Sequence, residues 1–167
     1  MDYAKHLIDY LSTNFTLKNH YLVQQKIPLA KIEGNPIDIR VITQWDPDFK
    51  DWSVNGKLVK IAQKGYVVTN VARELLLLDE ALMRCSIGSA QKIEDKINRA
   101  CIDISRRLHK NYPAITIIGF DLGVDQKGHI WFIEANLKPD IFMFYRLGDM
   151  QMYQKIMKGI KKAKALT

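Results

Sequence analysis

The clearest pattern in the chain is a pair of apolar runs near its C-terminal end, separated by a polar turn. The runs cover residues 115–124 and 130–135, and the turn covers 125–128. Two strand-length runs joined by a short turn that contains a glycine predict a β-hairpin, because glycine reaches the backbone angles that tight turns need. A carboxylate interrupts each run, Asp121 in the first and Glu134 in the second.

Alternating apolar and polar residues predict further strands upstream of this hairpin. These strands are 21–27, 37–44, 52–62 with a turn or bulge near Asn55-Gly56, and 66–71. Apolar residues at helical spacing predict helices over 2–13, 79–85 (capped by Asp79), 89–110 (capped by Ser89) and 150–164. The elements together predict an α+β fold, a mostly antiparallel sheet of about five strands with two long helices packed on one face.

Three polar side chains of the hairpin predict a cation site. Glu134 and Asn136 are two residues apart on one strand, so their side chains point to the same face as each other. Asp121 lies on the other strand of the hairpin. Carboxylate and amide oxygens that converge on one face suit Mg²⁺, which binds oxygen ligands at roughly 2.0–2.1 Å. A hairpin with a polar, solvated face is the alternative, but it does not explain carboxylates within apolar runs.

Composition restricts the class of protein. The chain has 167 residues, 47% apolar and 26% charged, which is the balance of one globular domain. Cys85 and Cys101 form no metal or redox motif, which predicts reduced, buried thiols in a cytoplasmic protein. The first residues lack a basic segment followed by an apolar stretch, so we expect no secretory signal. No apolar run is long enough to span a bilayer, so we expect no membrane partner.

The net charge of +7 favours anionic partners. Part of the excess lies in lysines near the C-terminus, where a basic helix is usually a solvated face. The remaining basic residues are scattered without interleaved aromatic residues. A basic nucleic-acid-binding domain is therefore the third of three functional hypotheses.

Four segments, in a specific order, carry a resemblance to a known family. They are Tyr21-Leu-Val-Gln-Gln-Lys-Ile27, Gly34-Asn-Pro-Ile-Asp-Ile-Arg-Val41, the stretch from Val54-Asn-Gly56 through Lys60 to Val68-Thr-Asn70, and Asp121, Glu134 and Asn136 followed by Lys138-Pro139. The chain resembles the C-terminal half of an ATP-grasp fold, and most closely the YheC/YheD-type family associated with bacterial endospore coats.

The resemblance implies a set of cofactors and roles. ATP and Mg²⁺ would be the cofactors, and a carboxylate substrate would attack the γ-phosphate to give an acyl phosphate that an amine captures. The metal ligands would be Asp121, Glu134 and Asn136, and the catalytic residues that contact phosphate would be Arg40 and Lys60. Further nucleotide contacts would come from Gln25, Lys26 and Ile27 along adenine, and from Asn70 and Lys138. Replacing Arg40 with alanine should then weaken nucleotide binding with little change in melting temperature.

The chain also departs from the family pattern. A His-x-Gly-Gly-like stretch is replaced by Val71-Ala-Arg-Glu-Leu75, and Lys-Pro-Gly by Lys138-Pro139-Asp140. Only a short helical segment precedes residue 21, so we expect residues 1–167 to form one C-terminal ATP-grasp subdomain without the N-terminal one. Such a half should bind ATP in the tens of micromolar or more weakly. It should not turn ATP over alone, and it could self-associate through exposed apolar residues.

Two hypotheses therefore lead. In the first, the chain is the Mg-ATP-binding half of a ligase-like protein. In the second, it is a degenerate, non-catalytic relative with a structural or interaction role, in the cytoplasm or associated with the spore. The altered glycine segments favour the second hypothesis, and the intact set of Asp121, Glu134 and Asn136 favours the first.

Overall fold

A six-stranded antiparallel sheet forms the centre of the molecule. The computed structural model describes residues 3–15, 25–66 and 72–165. The strands are β1 (Lys31–Ile32), β2 (Asn35–Asp46), β3 (Asp51–Ala62), β4 (Ala72–Leu76), β5 (Ile117–Val124) and β6 (Ile130–Asn136). Their order is β4-β3-β2-β5-β6, with the short β1 paired to β2, and every pairing is antiparallel. The predicted α+β class and antiparallel sheet are confirmed.

In the described residues, five helices accompany the sheet. They are α1 (Tyr3–Asn14), α2 (Leu78–Arg84), α3 (Ala90–Asn111), α4 (Phe142–Leu147) and α5 (Met150–Lys164). The prediction of α1, α3 and α5 is confirmed to within a residue or two at each end. Helix α2 begins at Leu78, so Asp79 lies in its first turn and is not its cap. Helix α4 was not predicted, because six residues are too few to show a helical period.

Two predicted strands are only partly accounted for. Residues 25–27 lie in no strand, and the chain first meets the sheet at an isolated bridge from Leu29 to Asp125. Residues 21–24 and 67–71 lie outside the described part of the chain. The predicted irregularity at Asn55-Gly56 is confirmed as a bulge. Ile42 pairs with Gly56 and Thr43 with Val54, which leaves Asn55 as the extra residue.

The two long helices pack on opposite faces of the sheet. One face of β2 carries Ile37, Ile39 and Val41, which join the core cluster of α3. The other face carries Ile42, which packs with Ile156 of α5. We expected both helices on one face. The prediction was wrong because the face of β2 that carries the polar residues also carries apolar ones, and α5 packs on these.

Helix α3 shows why the amphipathic pattern predicted it well. Ile93, Ile97, Cys101 and Ser105 are buried at intervals of four residues, which places them on one stripe. The Ser89 side chain caps the helix by accepting a hydrogen bond from the Lys92 backbone N–H. Cys101 and Cys85 are free, buried thiols as predicted. Burial raises the pKa of the Cys101 thiol to about 12, which keeps it protonated.

Helix α4 is held by a close approach between side chains and a strand. A Cβ atom at Gly56 would lie 2.7 Å from the Phe144 ring and 2.8 Å from Ile156, so only glycine fits there. Phe144 is fully buried in this contact. The Gln44 side chain continues the attachment, because its Nε2 donates to the backbone carbonyl of Ile156 at 3.0 Å. These contacts fix α4 and α5 on the face of the sheet that carries Arg40.

Within the described residues, no helix combines the length and the apolar composition that crossing a bilayer requires.

Candidate functional site

Four charged side chains lie together on the central strands, on the face that carries α5. Strand pairing sets their positions, because Arg40 lies opposite Asp121, and Asp38 lies opposite Lys60. Each is at most 7% exposed. Alternation along β2 explains why Asp38 and Arg40 share a face, since they are two residues apart. We call Asp38, Arg40, Lys60 and Asp121 the charge cluster.

Short hydrogen bonds connect the charge cluster. Arg40 donates to Asp121 through a two-pronged contact, Nε to Oδ1 at 2.7 Å and Nη2 to Oδ2 at 2.8 Å. Lys60 Nζ donates to the same Oδ1 at 3.2 Å and lies 3.2 Å from Asp38 Oδ1. The four charges sum to zero when all are ionised. Charges can be buried when they are paired and hydrogen-bonded in this way.

The pKa values of the two carboxylates shift in opposite directions. Burial raises the pKa of Asp38 to about 7, and this effect outweighs the opposing charge of Lys60. Burial also acts to raise the pKa of Asp121, but the hydrogen bond from Arg40 and the charge of Lys60 outweigh it and lower that pKa. Asp121 is therefore the carboxylate that the cluster keeps ionised most firmly.

The raised pKa of Asp38 predicts a measurable pH dependence of stability. A group that binds its proton more tightly in the folded state stabilises the fold below its unfolded pKa of 3.8, and this contribution is lost as pH rises towards about 7. Asp38→Asn keeps the neutral form at every pH. In urea titrations, the stability of this variant relative to the wild type should therefore increase from pH 5 to pH 8. A difference that stays constant across this range would contradict the assignment.

The hairpin places the predicted cation ligands on the same face as the charge cluster. Asp121 lies directly opposite Glu134, and Gly119 lies opposite Asn136. Glu134 and Asn136 are exposed, whereas Asp121 is buried. Asn136 Oδ1 accepts a hydrogen bond from the Lys138 backbone N–H at 2.8 Å. Both Asp121 oxygens accept hydrogen bonds from the charge cluster, so a cation there would have to displace Arg40 and Lys60 from one of them.

The donor chemistry of these three residues fits Mg²⁺, since two carboxylates and an amide oxygen are hard ligands. Among the described residues, no three His, Cys, Asp or Glu side chains form a cluster that could hold a metal ion. The three hairpin residues are not such a cluster, because only two of them, Asp121 and Glu134, are carboxylates. Mg²⁺ commonly completes its coordination shell with water and substrate phosphates.

A groove of about 270 Å³ lies above the charge cluster. Its walls are formed by strands β2 to β6, by the loop after β6 and by helix α4. The lining residues are Arg40, Lys60, Ala72, Leu75, Asp121, Glu134, Asp140, Met143 and Arg146. The loop is pressed onto the sheet, because a Cβ atom at Gly119 would lie 2.5 Å from Pro139.

The remaining predicted nucleotide contacts lie away from these walls or outside the described residues. Gln25, Lys26 and Ile27 precede the sheet in irregular structure. Lys138 is exposed in the loop after β6, and Asn70 lies outside the described part of the chain. Their roles stay predictions.

Besides the apolar Ala72 and Leu75, sequence reasoning missed four residues of the site. Asp38 had a usable signal, because it alternates with Arg40 on the polar face of a predicted strand. Asp140 was noted only as a departure from a family pattern. Met143 and Arg146 lie on the unpredicted helix α4, and nothing in the local pattern pointed to them.

Comparison with known proteins identifies the family of this chain. The model of the YheC/D-like ATP-grasp family matches residues 1–166. This chain belongs to that family. The YheC/D-like chain is 32% identical over 127 residues to the endospore coat-associated protein YheD of Bacillus subtilis (strain 168), a match that covers 74% of this chain and 27% of YheD. It is 22% identical over 152 residues to YheC of the same organism, which covers 90% of this chain and 42% of YheC. This YheC/D-like chain spans less than half the length of the curated relatives it matches.

Proposed function

We propose that the groove binds the phosphates of ATP together with Mg²⁺, as part of a ligase-like ATP-grasp site. The observation that carries this proposal is the charge cluster, in which Arg40, Lys60 and Asp121 are buried together at the base of a groove that also contains Glu134. Burying four charges is costly, and replacing such a group by packed apolar residues is often stabilising. A site that needs both cations and carboxylates explains why the charges lie there.

The two cations suit phosphate in different ways. The Arg40 guanidinium forms a two-pronged contact with a carboxylate here, and the same fork fits two oxygens of a phosphate. Lys60 supplies a point charge beside it. Phosphates that enter the groove would replace the Asp121 carboxylate as the hydrogen-bond partner of Arg40 and Lys60. The oxygens of Asp121 would then be free to bind a cation.

Asp121, Glu134 and Asn136 would hold Mg²⁺. The ion would neutralise the phosphate charge and hold the phosphate oxygens in place. Adenine would contact Gln25, Lys26 and Ile27, with Asn70 and Lys138 as further nucleotide contacts. Catalysis of phosphoryl transfer depends mainly on positioning and charge neutralisation, which Arg40 and Lys60 provide.

The existing hydrogen bonds limit the affinity. Phosphates must replace an ion-paired carboxylate that already satisfies Arg40 and Lys60, so ATP should bind in the tens of micromolar or more weakly. We expect no detectable ATP turnover by this chain alone. Phosphoryl transfer benefits from the exclusion of water, and the groove is open to solvent along its exposed residues Glu134, Asp140 and Arg146.

Glu134→Gln gives the sharpest test of the metal site. The Glu134 side chain is exposed and has no hydrogen bond or ion pair with another described residue, so the substitution should leave the melting temperature unchanged. Isothermal titration with ATP should show an affinity that Mg²⁺ increases in the wild type. In Glu134→Gln this gain should fall by about tenfold or more, because a carboxylate ligand is lost.

Glu80→Gln is the control, since Glu80 is an exposed glutamate on α2, away from the groove, and its ion pair with Arg84 at 3.8 Å is solvent-exposed. Equal Mg²⁺-dependent affinity in wild type and Glu134→Gln would rule out the proposed metal site. The absence of any ATP binding by the folded wild type would rule out the nucleotide site as well.

A second candidate function is a non-catalytic role associated with the spore coat. Two observations favour it. Both relatives are described as endospore coat-associated proteins. The oxygens of Asp121 and Asn136 also accept hydrogen bonds within the chain, which a purely structural role would explain. A folded protein that binds neither ATP nor Mg²⁺, but that fractionates with purified spore coats, would support this candidate over the first.

A further inference from the structure

The outer end of the groove carries two opposite charges that are not paired with each other. Arg146 and Asp140 both line the groove. Among the described residues, the Arg146 guanidinium has no hydrogen-bond or ion-pair partner. Asp140 Oδ1 accepts the Phe142 backbone N–H at 2.8 Å, while no described residue donates to its Oδ2. One cation and one carboxylate oxygen are therefore available to a ligand at this end.

The backbone that carries Asp140 and Arg146 is held in place by packing contacts. Pro139 packs against Gly119, which holds the residue before Asp140 on the sheet. The Asp140 side chain is also tied to the start of α4 by its hydrogen bond. Arg146 follows Met143 by three residues on α4, so the two share one face of the helix and both reach the groove. Buried Phe144 anchors this helix, which fixes the backbone position from which the Arg146 side chain extends.

The inner and outer ends of the groove differ in the charge they can offer. At the inner end, Arg40 and Lys60 are hydrogen-bonded to Asp121. At the outer end, the guanidinium of Arg146 and Oδ2 of Asp140 are free of such contacts with the described residues. Ala72, Leu75 and Met143 are the apolar residues that line the groove. A ligand that fits must present a negative group, a positive group and a short apolar portion.

We propose that the outer end of the groove binds a free α-amino acid with a short aliphatic side chain. Arg146 would hold the carboxylate, Asp140 would hold the ammonium, and the side chain would rest against Leu75 and Met143. The inference deepens the proposed function, on which its role as a substrate site rests, because it names the class of substrate that lies beside the phosphates. The binding itself is measurable with or without nucleotide.

Three related ligands separate the two contacts. L-valine carries both charges, N-acetyl-L-valine keeps only the carboxylate, and L-valinamide keeps only the ammonium. Each is titrated into the protein with saturating Mg·ADP, and two-dimensional ¹H–¹⁵N NMR measures binding in the millimolar range. The variants are Arg146→Gln and Asp140→Asn, of which the second keeps the Oδ1 acceptor for the Phe142 N–H. Arg99→Gln is the control, since Arg99 is an exposed arginine on α3, on the opposite face of the sheet.

L-valine should bind more tightly than either single-charge analogue. Arg146→Gln should weaken L-valine and N-acetyl-L-valine by about tenfold or more and leave L-valinamide unchanged, because a charge-assisted contact to the carboxylate is lost. Asp140→Asn should weaken L-valine and L-valinamide and leave N-acetyl-L-valine unchanged. Arg99→Gln should change none of the three.

L-valine binding that is absent, or equal in wild type and both groove variants, would overturn the inference. If Mg·ADP itself does not bind, the proposed nucleotide site fails, and the same titrations without nucleotide still decide the amino-acid site. Charge-selective losses would support it, and their absence would overturn it.

Discussion

Replacing Arg40 with alanine should lower the free energy of unfolding by about 3–5 kcal/mol, the usual cost of breaking a buried ion pair. In this variant, Asp121 stays buried at 5% exposure, and Lys60 is the one cation of the charge cluster that still contacts it. The sequence alone suggested little change in melting temperature, because it gave no sign that Arg40 is buried. The structure reverses that expectation, and urea unfolding monitored by tryptophan fluorescence measures the loss.

The molecule offers a matched control for this prediction. Arg106 forms the same two-pronged contact with Asp51, at 2.9 and 2.7 Å, but the two side chains are 53% and 43% exposed. Arg106→Ala should therefore change stability far less than Arg40→Ala, since exposed ion pairs contribute little. Similar losses in the two variants would show that burial does not determine the energy of the Arg40 contact.

The Arg40→Ala variant is also a poor probe of nucleotide binding, because any loss of affinity could reflect loss of folded protein.

Phe144→Ala should destabilise the protein by about 3–5 kcal/mol, the range for removing a fully buried phenylalanine. Phe144 is 0% exposed, and its ring packs into the space above Gly56. The cavity would loosen α4 and hence the groove wall that carries Arg146. Thermal and urea unfolding measure the stability, and NMR shifts of the Arg146 Nε–Hε group report the position of the groove wall.

Phe142→Ala is the control for Phe144→Ala, because Phe142 lies on the same helix but is 54% exposed. Its removal should have little effect on stability. If Phe142→Ala were as costly as Phe144→Ala, the anchoring of α4 would not depend on the buried ring. Helix propensity changes by the same amount in both substitutions, so a difference between the two variants reports the burial of Phe144.

Parts of the site were predictable because they depend on local geometry. The turn at Gly128 and the spacing from Glu134 to Asn136 place side chains on a face within one hairpin, where strand alternation is sufficient. Gly128 has a φ of 74°, the left-handed value that its turn requires. The cap at Ser89 and the bulge at Asn55 also depend on residues only a few positions apart. The sequence indicates such features because the interacting residues are neighbours along the chain.

Other parts of the site depend on contacts between distant residues. Arg40 and Asp121 are 81 residues apart, and only the pairing of β2 with β5 brings them together. The sequence placed each on a polar face but gave no sign that they neutralise each other.

The sequence by itself determined the antiparallel hairpin, the long helices and the placement of Glu134 and Asn136 on one face, because periodicity and turn chemistry act locally. Tertiary structure alone decided that α3 and α5 occupy opposite faces, since apolar positions on both sides of β2 permit either arrangement. It also decided that Arg40 is buried and that Arg146 reaches the groove. Burial depends on which elements cover a residue, and a local pattern does not contain that information.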